Sequence, residues 1–503
     1  MAKPPDWDKV SAYFRENAGN WADPAIDDRT WSDLDMADVM VFLDRTRSSV
    51  GRAVFYAMLR RPLFDPEAWH ERARTIAALA QDARARARID RVTRRLGMEI
   101  EGEVFRFIAW LRTQVEDRRR HLYRALSILP ILAVPAAIFL GAPGIAALAA
   151  LAVLNLVIHY RLKPVVAAET PSYQYLHRIL VAAGRLGRLD LPPLRRELGD
   201  LASLERSLRR LRRRTAFLAT PPGFSGDVRE LFAGFIRQFL LLEVTAYYAA
   251  HNEIIARMAD LTRLTTLVGT VDALAGVADL RAATPGLVEP EIQAGGLVLD
   301  GEDLVHPLLP HPVANSTRMD GRGILVTGSN MSGKSTFLRT LGVNLLLGTT
   351  ICLAFGRRLR LTPLLAVTSI TNRDNILAAE SHYLVEAKRL LVLLEAARRA
   401  PPAFLIVDEI LAGTNSEERI AASVRILRHL AGLPCLVAAA THDRPIAAAL
   451  ADAYDNLHFT HLVDGEELEF DYRLRRGIVE SGNALRLLRL LGYPPQILED
   501  GSP

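Results

Sequence analysis

The chain has 503 residues and a formal net charge of +5; half of its residues are hydrophobic and 24% are charged. These values exclude a disordered polyelectrolyte and leave room for two to four domains, each with its own core. Two cysteines, Cys352 and Cys435, exclude a disulfide framework and a thiolate metal site, which suits a reducing compartment. The cations are 57 Arg against 5 Lys, a bias that with the abundant Ala reflects base composition rather than phosphate binding.

Met1 to Asp8 contains no apolar run, so no signal peptide is expected. From Trp31 to about Arg120 the apolar spacing is helical, with Leu43, Val50, Val54 and Leu59 near one face. Between Ala125 and Tyr160 lie 36 residues without Asp, Glu, Lys or Arg. Gly141-Ala142-Pro143-Gly144 divides them into two arms of 16 residues. Each arm would span about 24 Å as a helix, against a hydrocarbon core of ~30 Å. Arg118, Arg119, Arg120 and Arg124 before the run, and Arg161 and Lys163 after it, put both ends on the cytoplasmic side. A transmembrane hairpin is the expectation; a hairpin buried in protein would need cover on nearly every side.

Residues 165–285 are again helical in pattern. Leu201, Leu204, Leu208 and Leu211 form a packing seam. Arg206, Arg209, Arg210, Arg212, Arg213 and Arg214 flank it, suited to DNA phosphates, to anionic headgroups, or simply to solvent. From Gly286 short β-rich runs alternate with helices. Leu297–Leu299, Ile324–Val326, Phe404–Val407 and Cys435–Ala438 predict strands of an α/β nucleotide-binding domain.

Gly328-Ser329-Asn330-Met331-Ser332-Gly333-Lys334-Ser335, followed by Thr336, fits the phosphate loop G-x-x-x-x-G-K-[ST]. A strand precedes it and a helix follows, so a helix N-terminus would face the phosphates. Lys334 would reach the β- and γ-phosphates, and Ser335 would ligate Mg²⁺. The apolar run Phe404–Val407 ends in Asp408 and Glu409. The first acid at such a strand end holds Mg²⁺; the second can orient the attacking water as general base. Thr441-His442 ends another apolar run, where His442 could sense the γ-phosphate.

These residues resemble the MutS family of mismatch-repair ATPases. The likeness includes Val326–Arg339 with its Asn-Met pair, Asp408-Glu409-Ile410 with Gly413-Thr414, and Ala440-Thr441-His442. Ser381-His382-Tyr383-Leu384-Val385-Glu386 resembles the family's signature helix start, which implies that Ser381 acts in trans on nucleotide held by a second subunit. His306-Pro307 and Val313-Ala314-Asn315 resemble the stretch lining the adenine pocket, with Pro312 where many members carry an aromatic. Phe42–Thr46, Gly51, Leu59–Leu63 and Val271–Val277 resemble parts of the family's helical core.

The resemblance implies an α/β P-loop (ABC-like) ATPase domain preceded by an all-helical MutS-core-like region, here interrupted by the transmembrane helical hairpin. The expected segments are a tail (1–30), helical core (31–120), hairpin (121–163), second helical part (164–285) and ATPase (286–503). The short N-terminal stretch is expected to leave no room for the family's mismatch-reading domain. The implied function is an Mg-dependent ATPase and homodimeric switch bound to double-stranded DNA, its catalytic part cytoplasmic and anchored to the inner membrane through residues 125–160. The rival is a membrane-tethered mechanical ATPase that does not bind DNA. A transporter half is disfavoured, because one hairpin makes no translocation path and no Leu-Ser-Gly-Gly-Gln signature is present.

Overall fold

Strand and helix signals separate along the chain, and the computed structural model follows that separation. Helices occupy the chain up to Ala283, and every named strand among the described residues lies beyond it. The structure describes residues 5–98, 103–114, 119–219, 228–329, 332–370, 382–411, 415–460, 462–464, 467–469, 471–478 and 494. Two compact units form. One comprises Met1–Asn20, Arg45–Ala57 and Ala78–Asp279; the other comprises Trp21–Asp44, Met58–Ala77 and Leu280–Pro503.

In the first unit the helix Met258–Ala283 supplies the key buried acid. Asp272 accepts hydrogen bonds from the backbone N–H of Arg47 and Ser48 and from the Ser48 hydroxyl at 2.6 Å. It thereby satisfies donors at the start of the helix Ser49–Arg60. Gly51 is required there, because a Cβ would sit 2.1 Å from the Asp272 carboxylate oxygen. Leu43, Val50, Val54 and Leu59 are all buried, but on two helices, Met36–Leu43 and Ser49–Arg60, rather than one run. Similarly, the leucine seam crosses a break at Leu208, between the helices Arg195–Ser207 and Arg209–Ala219.

The uncharged run forms two helices, Arg120–Leu140 and Ala142–Leu186, joined at Gly141 with φ +65°. The arms are longer than the 16 residues read from apolarity, and the expected segment end at 163 falls inside the second helix. Charge ends an apolar run but does not end a helix, since Arg and Lys are good helix formers. The first arm measures about 32 Å at 1.5 Å per residue. Ile138, Phe139 and Leu140 at its tip are 74%, 86% and 65% exposed. Among the described residues, three helices are long and apolar enough to cross a membrane. The most apolar stretches of the two arms are only 22% and 17% buried, against 72% for Met258–Ala283, which is therefore a core helix. Tyr123, Leu126, Asn155 and His159, toward the base of the two arms, are buried, while the tip is not.

The second unit centres on a six-stranded sheet in the order Leu474–Arg476, Tyr454–Phe459, Gly323–Thr327, Cys435–Thr441, Ala403–Asp408, Leu365–Ser369. All neighbours are parallel except the Leu474–Arg476 edge. Cys435–Thr441 and Ala403–Asp408 are buried throughout, which explains their unbroken apolar letters. A four-stranded sheet is ordered Glu291–Ile292, Arg358–Leu361, Val298–Leu304, Asn315–Asp320, and two two-stranded pairs, Leu287–Val288 with Ala354–Phe355 and Leu462–Asp464 with Glu467–Glu469, accompany it. Residues 21–44 are stitched to the outer parallel strand. Asp33 accepts from the Thr368 hydroxyl and from Ile370 N–H, and Arg389 donates to both Asp27 and the Thr368 carbonyl.

Candidate functional site

Thr327, Asp408 and Thr441 close three adjacent parallel strands in register, Thr441 opposite Thr327 and Ala440 opposite Asp408. Parallel strands bring their following loops to one edge of the sheet, where ligands of open α/β sheets bind. The loop after Thr327 leads through Gly333, at φ +102°, into the helix Lys334–Thr350. Tyr472 packs on Gly333, with a ring carbon 3.2 Å from where a Cβ would stand. A side chain at 333 would thus meet both backbone strain and that ring.

Lys334 is buried, and its Nζ donates to the carbonyls of Gly328 and Ser329 at 2.9 Å each. Burial lowers its pKa, while the Glu409 and Asp408 carboxylates oppose the shift. Ser332 is buried and its Oγ has no hydrogen-bond partner. The Ser335 hydroxyl donates to the Asp408 carboxylate, whose pKa is nevertheless raised, burial being the largest cause.

Glu409 takes φ +53° and Leu411 φ +56°, left-handed values that cost a non-glycine residue about 1–3 kcal/mol each. The Glu409 N–H still bonds the Ala440 carbonyl at 3.0 Å, so the turn starts from the sheet itself. His442 Nδ1 lies 3.0 Å from Glu409 Oε1. Arg419, on the helix Ser416–Ala431, holds Asp443 through two contacts of 2.9 and 3.2 Å and so ties down the residue after His442.

These groups border a cavity of about 810 Å³, lined among others by His306, Val313, Lys334, Ser335, Thr336, Asp408, Glu409 and Tyr472. Its volume suits a nucleotide-sized ligand. His306 is pushed down to about 4 by burial and by Arg339, so it is neutral at pH 7, and its Nε2 is buried without a partner. Asn315 donates to the Tyr472 carbonyl at 3.0 Å and accepts from Leu474 N–H at 2.8 Å. Those bonds bring Tyr472 across from a distant part of the chain.

Of the residues expected at the site, Lys334, Ser335, Thr336, Val313, Asp408 and Glu409 share the cavity wall, and His442 joins through Glu409. Gly328, Ser329, Ser332 and Gly333 form the loop beside it. Asn330, Met331 and Ser381 lie outside the described residues. Tyr472 was not legible in the sequence: it sits in no motif, and nothing local marks it as a partner of Gly333. Its ring lines the same cavity.

Residues 324–502 match the family model described as MutS domain V. The chain is similar to the DNA mismatch repair protein msh3 of Emericella nidulans, 28% identical over 272 residues, covering 50% of this chain and 24% of that one. It is also similar to msh3 of Aspergillus oryzae, 28% identical over 276 residues (52% and 24% covered), and to the DNA mismatch repair protein spellchecker 1 of Drosophila melanogaster, 27% identical over 259 residues (48% and 28%). The matched part spans about a quarter of the length of these relatives. In its segment 324–502, the chain carries a match to domain V of the MutS family.

Proposed function

We propose that this chain binds and hydrolyses ATP in the cavity beside Lys334 and acts as a dimeric nucleotide switch with duplex DNA as partner. The observation that carries the reading is the meeting of Lys334, Ser335, Asp408, Glu409 and His442 at the ends of three adjacent parallel strands. A triphosphate at the N-terminus of the helix Lys334–Thr350 gains from the dipole and from unpaired N–H groups. The Lys334 ammonium exchanges its two loop carbonyls for phosphate oxygens, and Ser332 Oγ gains a partner.

Asp408 and Ser335 form a hard-oxygen pair that fits Mg²⁺, an ion that takes few protein ligands and completes its shell with phosphate oxygens and water. When bound, Mg²⁺ would neutralise charge on the phosphate oxygens. Glu409 accepts a proton from the attacking water, and His442 holds the Glu409 carboxylate in position. Tyr472 offers its ring to the base, with His306 and Val313 on the same wall.

Helix His382–Ala396 exposes Leu384, Val385, Leu391 and Val392 at helical spacing, an apolar face suited to a second copy. Ser381 precedes this helix and is proposed to reach the nucleotide of that copy. DNA binding rests on the family and on the repair names of its relatives. It is helped by a groove of about 260 Å³ lined by Arg88, Arg91, Arg95, Arg185 and Arg188 with no acidic residue. The exposed hairpin anchors the ATPase to the cytoplasmic membrane in this reading. The second reading, a tethered ATPase without DNA, draws on Arg212 and Arg214, which are engaged by Glu205 and Glu253. Duplex binding that weakens steeply with salt favours the first, and no binding at physiological salt favours the second.

The experiment is a mixing test. Lys334→Ala and Ser381→Ala chains are each expected to be inactive alone. Mixed, they form a dimer with one intact composite site, and phosphate release returns. No recovery on mixing, with both variants folded and dimeric, removes the site shared between copies.

A further inference from the structure

Asn155 sits within the second arm of the hairpin, fully buried, and its Nδ2 makes two hydrogen bonds to backbone carbonyls. One goes to Leu126 at 2.9 Å. In a regular helix that carbonyl would accept from residue 130, but Pro130 has no N–H to give. The other goes to Phe239 at 2.7 Å, in the last turn of the helix Val228–Phe239, whose final carbonyls lack helical donors. The chain then turns sharply at Leu241, φ +48°. One amide thus answers an orphan on the first arm and an orphan on a third helix. It pins the end of that helix to the base of the uncharged run, beside the buried cluster of Tyr123, Leu126, Leu241 and Val244.

The pinned helix is amphipathic. Phe232, Phe235 and Ile236, at i, i+3 and i+4, are 67%, 68% and 40% exposed. Arg237 points elsewhere, its guanidinium 5.3 Å from the centre of the Phe217 ring on the helix Arg209–Ala219. An apolar edge left uncovered, opposite an edge held by the helical unit through Arg237, suits a helix lying in the plane of a membrane interface.

We infer that Val228–Phe239 lies in the headgroup boundary of the bilayer that the hairpin crosses, with Phe232, Phe235 and Ile236 as its immersed face. The inference rests on the membrane anchoring proposed above. Continuity with the hairpin, fixed by Asn155 at the level of Leu126, is why lipid rather than a second copy is the occupant.

The test uses nitroxide labels on the full-length chain at Phe235→Cys, Phe232→Cys and Leu132→Cys, with Ser203→Cys as an aqueous control. Cys352 and Cys435 are buried and stay in place. The protein is reconstituted in phosphatidylcholine–phosphatidylglycerol vesicles, and collision rates with oxygen and with a water-soluble nickel chelate are measured. The expected result is nickel exclusion at 232 and 235, several-fold against 203, at a depth shallower than 132. Nickel access at 232 and 235 with exclusion at 132 overturns this inference and leaves the hairpin anchored. Nickel access at 132 as well overturns the membrane reading itself. Protection of 232 and 235 from both reagents means that a second copy covers the face, and also overturns the inference.

Discussion

His442 Nδ1 and Glu409 Oε1 stand 3.0 Å apart, and each belongs to the turn that ends one of two neighbouring parallel strands. The pairing constrains a carboxylate that the left-handed Glu409 backbone has already turned out of the sheet. A positioning group acts on orientation rather than on binding. His442→Ala should therefore lower the rate of phosphate release while leaving the affinity for ATP within about twofold, because the interaction is with the carboxylate and not with the ground-state nucleotide. Single-turnover phosphate release and nucleotide titration check this together; a matched loss in affinity would make His442 a binding residue instead.

Asp408 makes a prediction about stability. Its carboxyl is raised above the usual range of 3.8, chiefly by burial. Between the unfolded and folded values the native state holds more protons than the unfolded state, so stability falls as pH rises through that window. At neutral pH the ionised group is a net cost to the nucleotide-free fold. Asp408→Asn should raise the midpoint of chemical unfolding near pH 7, with the gain shrinking toward pH 4, while Mg-dependent nucleotide binding is lost. A destabilised variant at pH 7 would show that the Ser335 hydrogen bond outweighs desolvation.

Tyr472 is held by Asn315 and packed on Gly333, an arrangement that prepares its ring for stacking. Tyr472→Ala should weaken ATP binding by about 1 kcal/mol, roughly fivefold, and Tyr472→Phe should retain it, since the ring and not the hydroxyl makes the contact. Inorganic triphosphate, which has no base, should bind both variants alike. Equal weakening toward triphosphate would mean that Tyr472 supports the loop rather than the base.

The strands that carry the site were legible because a strand buried on both faces reads as continuous apolar letters, and Phe404–Val407 and Cys435–Ala438 do. The phosphate loop and the two acids were legible because their chemistry fixes their spacing. What escaped was set by distance and backbone. Tyr472 reaches Asn315 across 157 positions, and Arg389 reaches Asp27 across 362. No local pattern encodes such partners. Nor does any letter mark the left-handed turn at Glu409, because a glutamate rarely adopts it and the sheet imposes it here. The hairpin showed its apolar middle but not its ends, because Arg120, Arg124, Arg161 and Lys163 continue the helices that apolarity alone would stop.

The central claim is that Glu409 takes the proton of the attacking water in a site whose ATP is held by other groups. Rapid-quench phosphate release from pre-bound Mg-ATP, comparing the full-length chain with Glu409→Gln, tests it most directly. General base loss predicts a release rate lower by about 10²–10⁴-fold with ATP affinity retained. Release at the rate of the unaltered chain, from equally occupied sites, would contradict it.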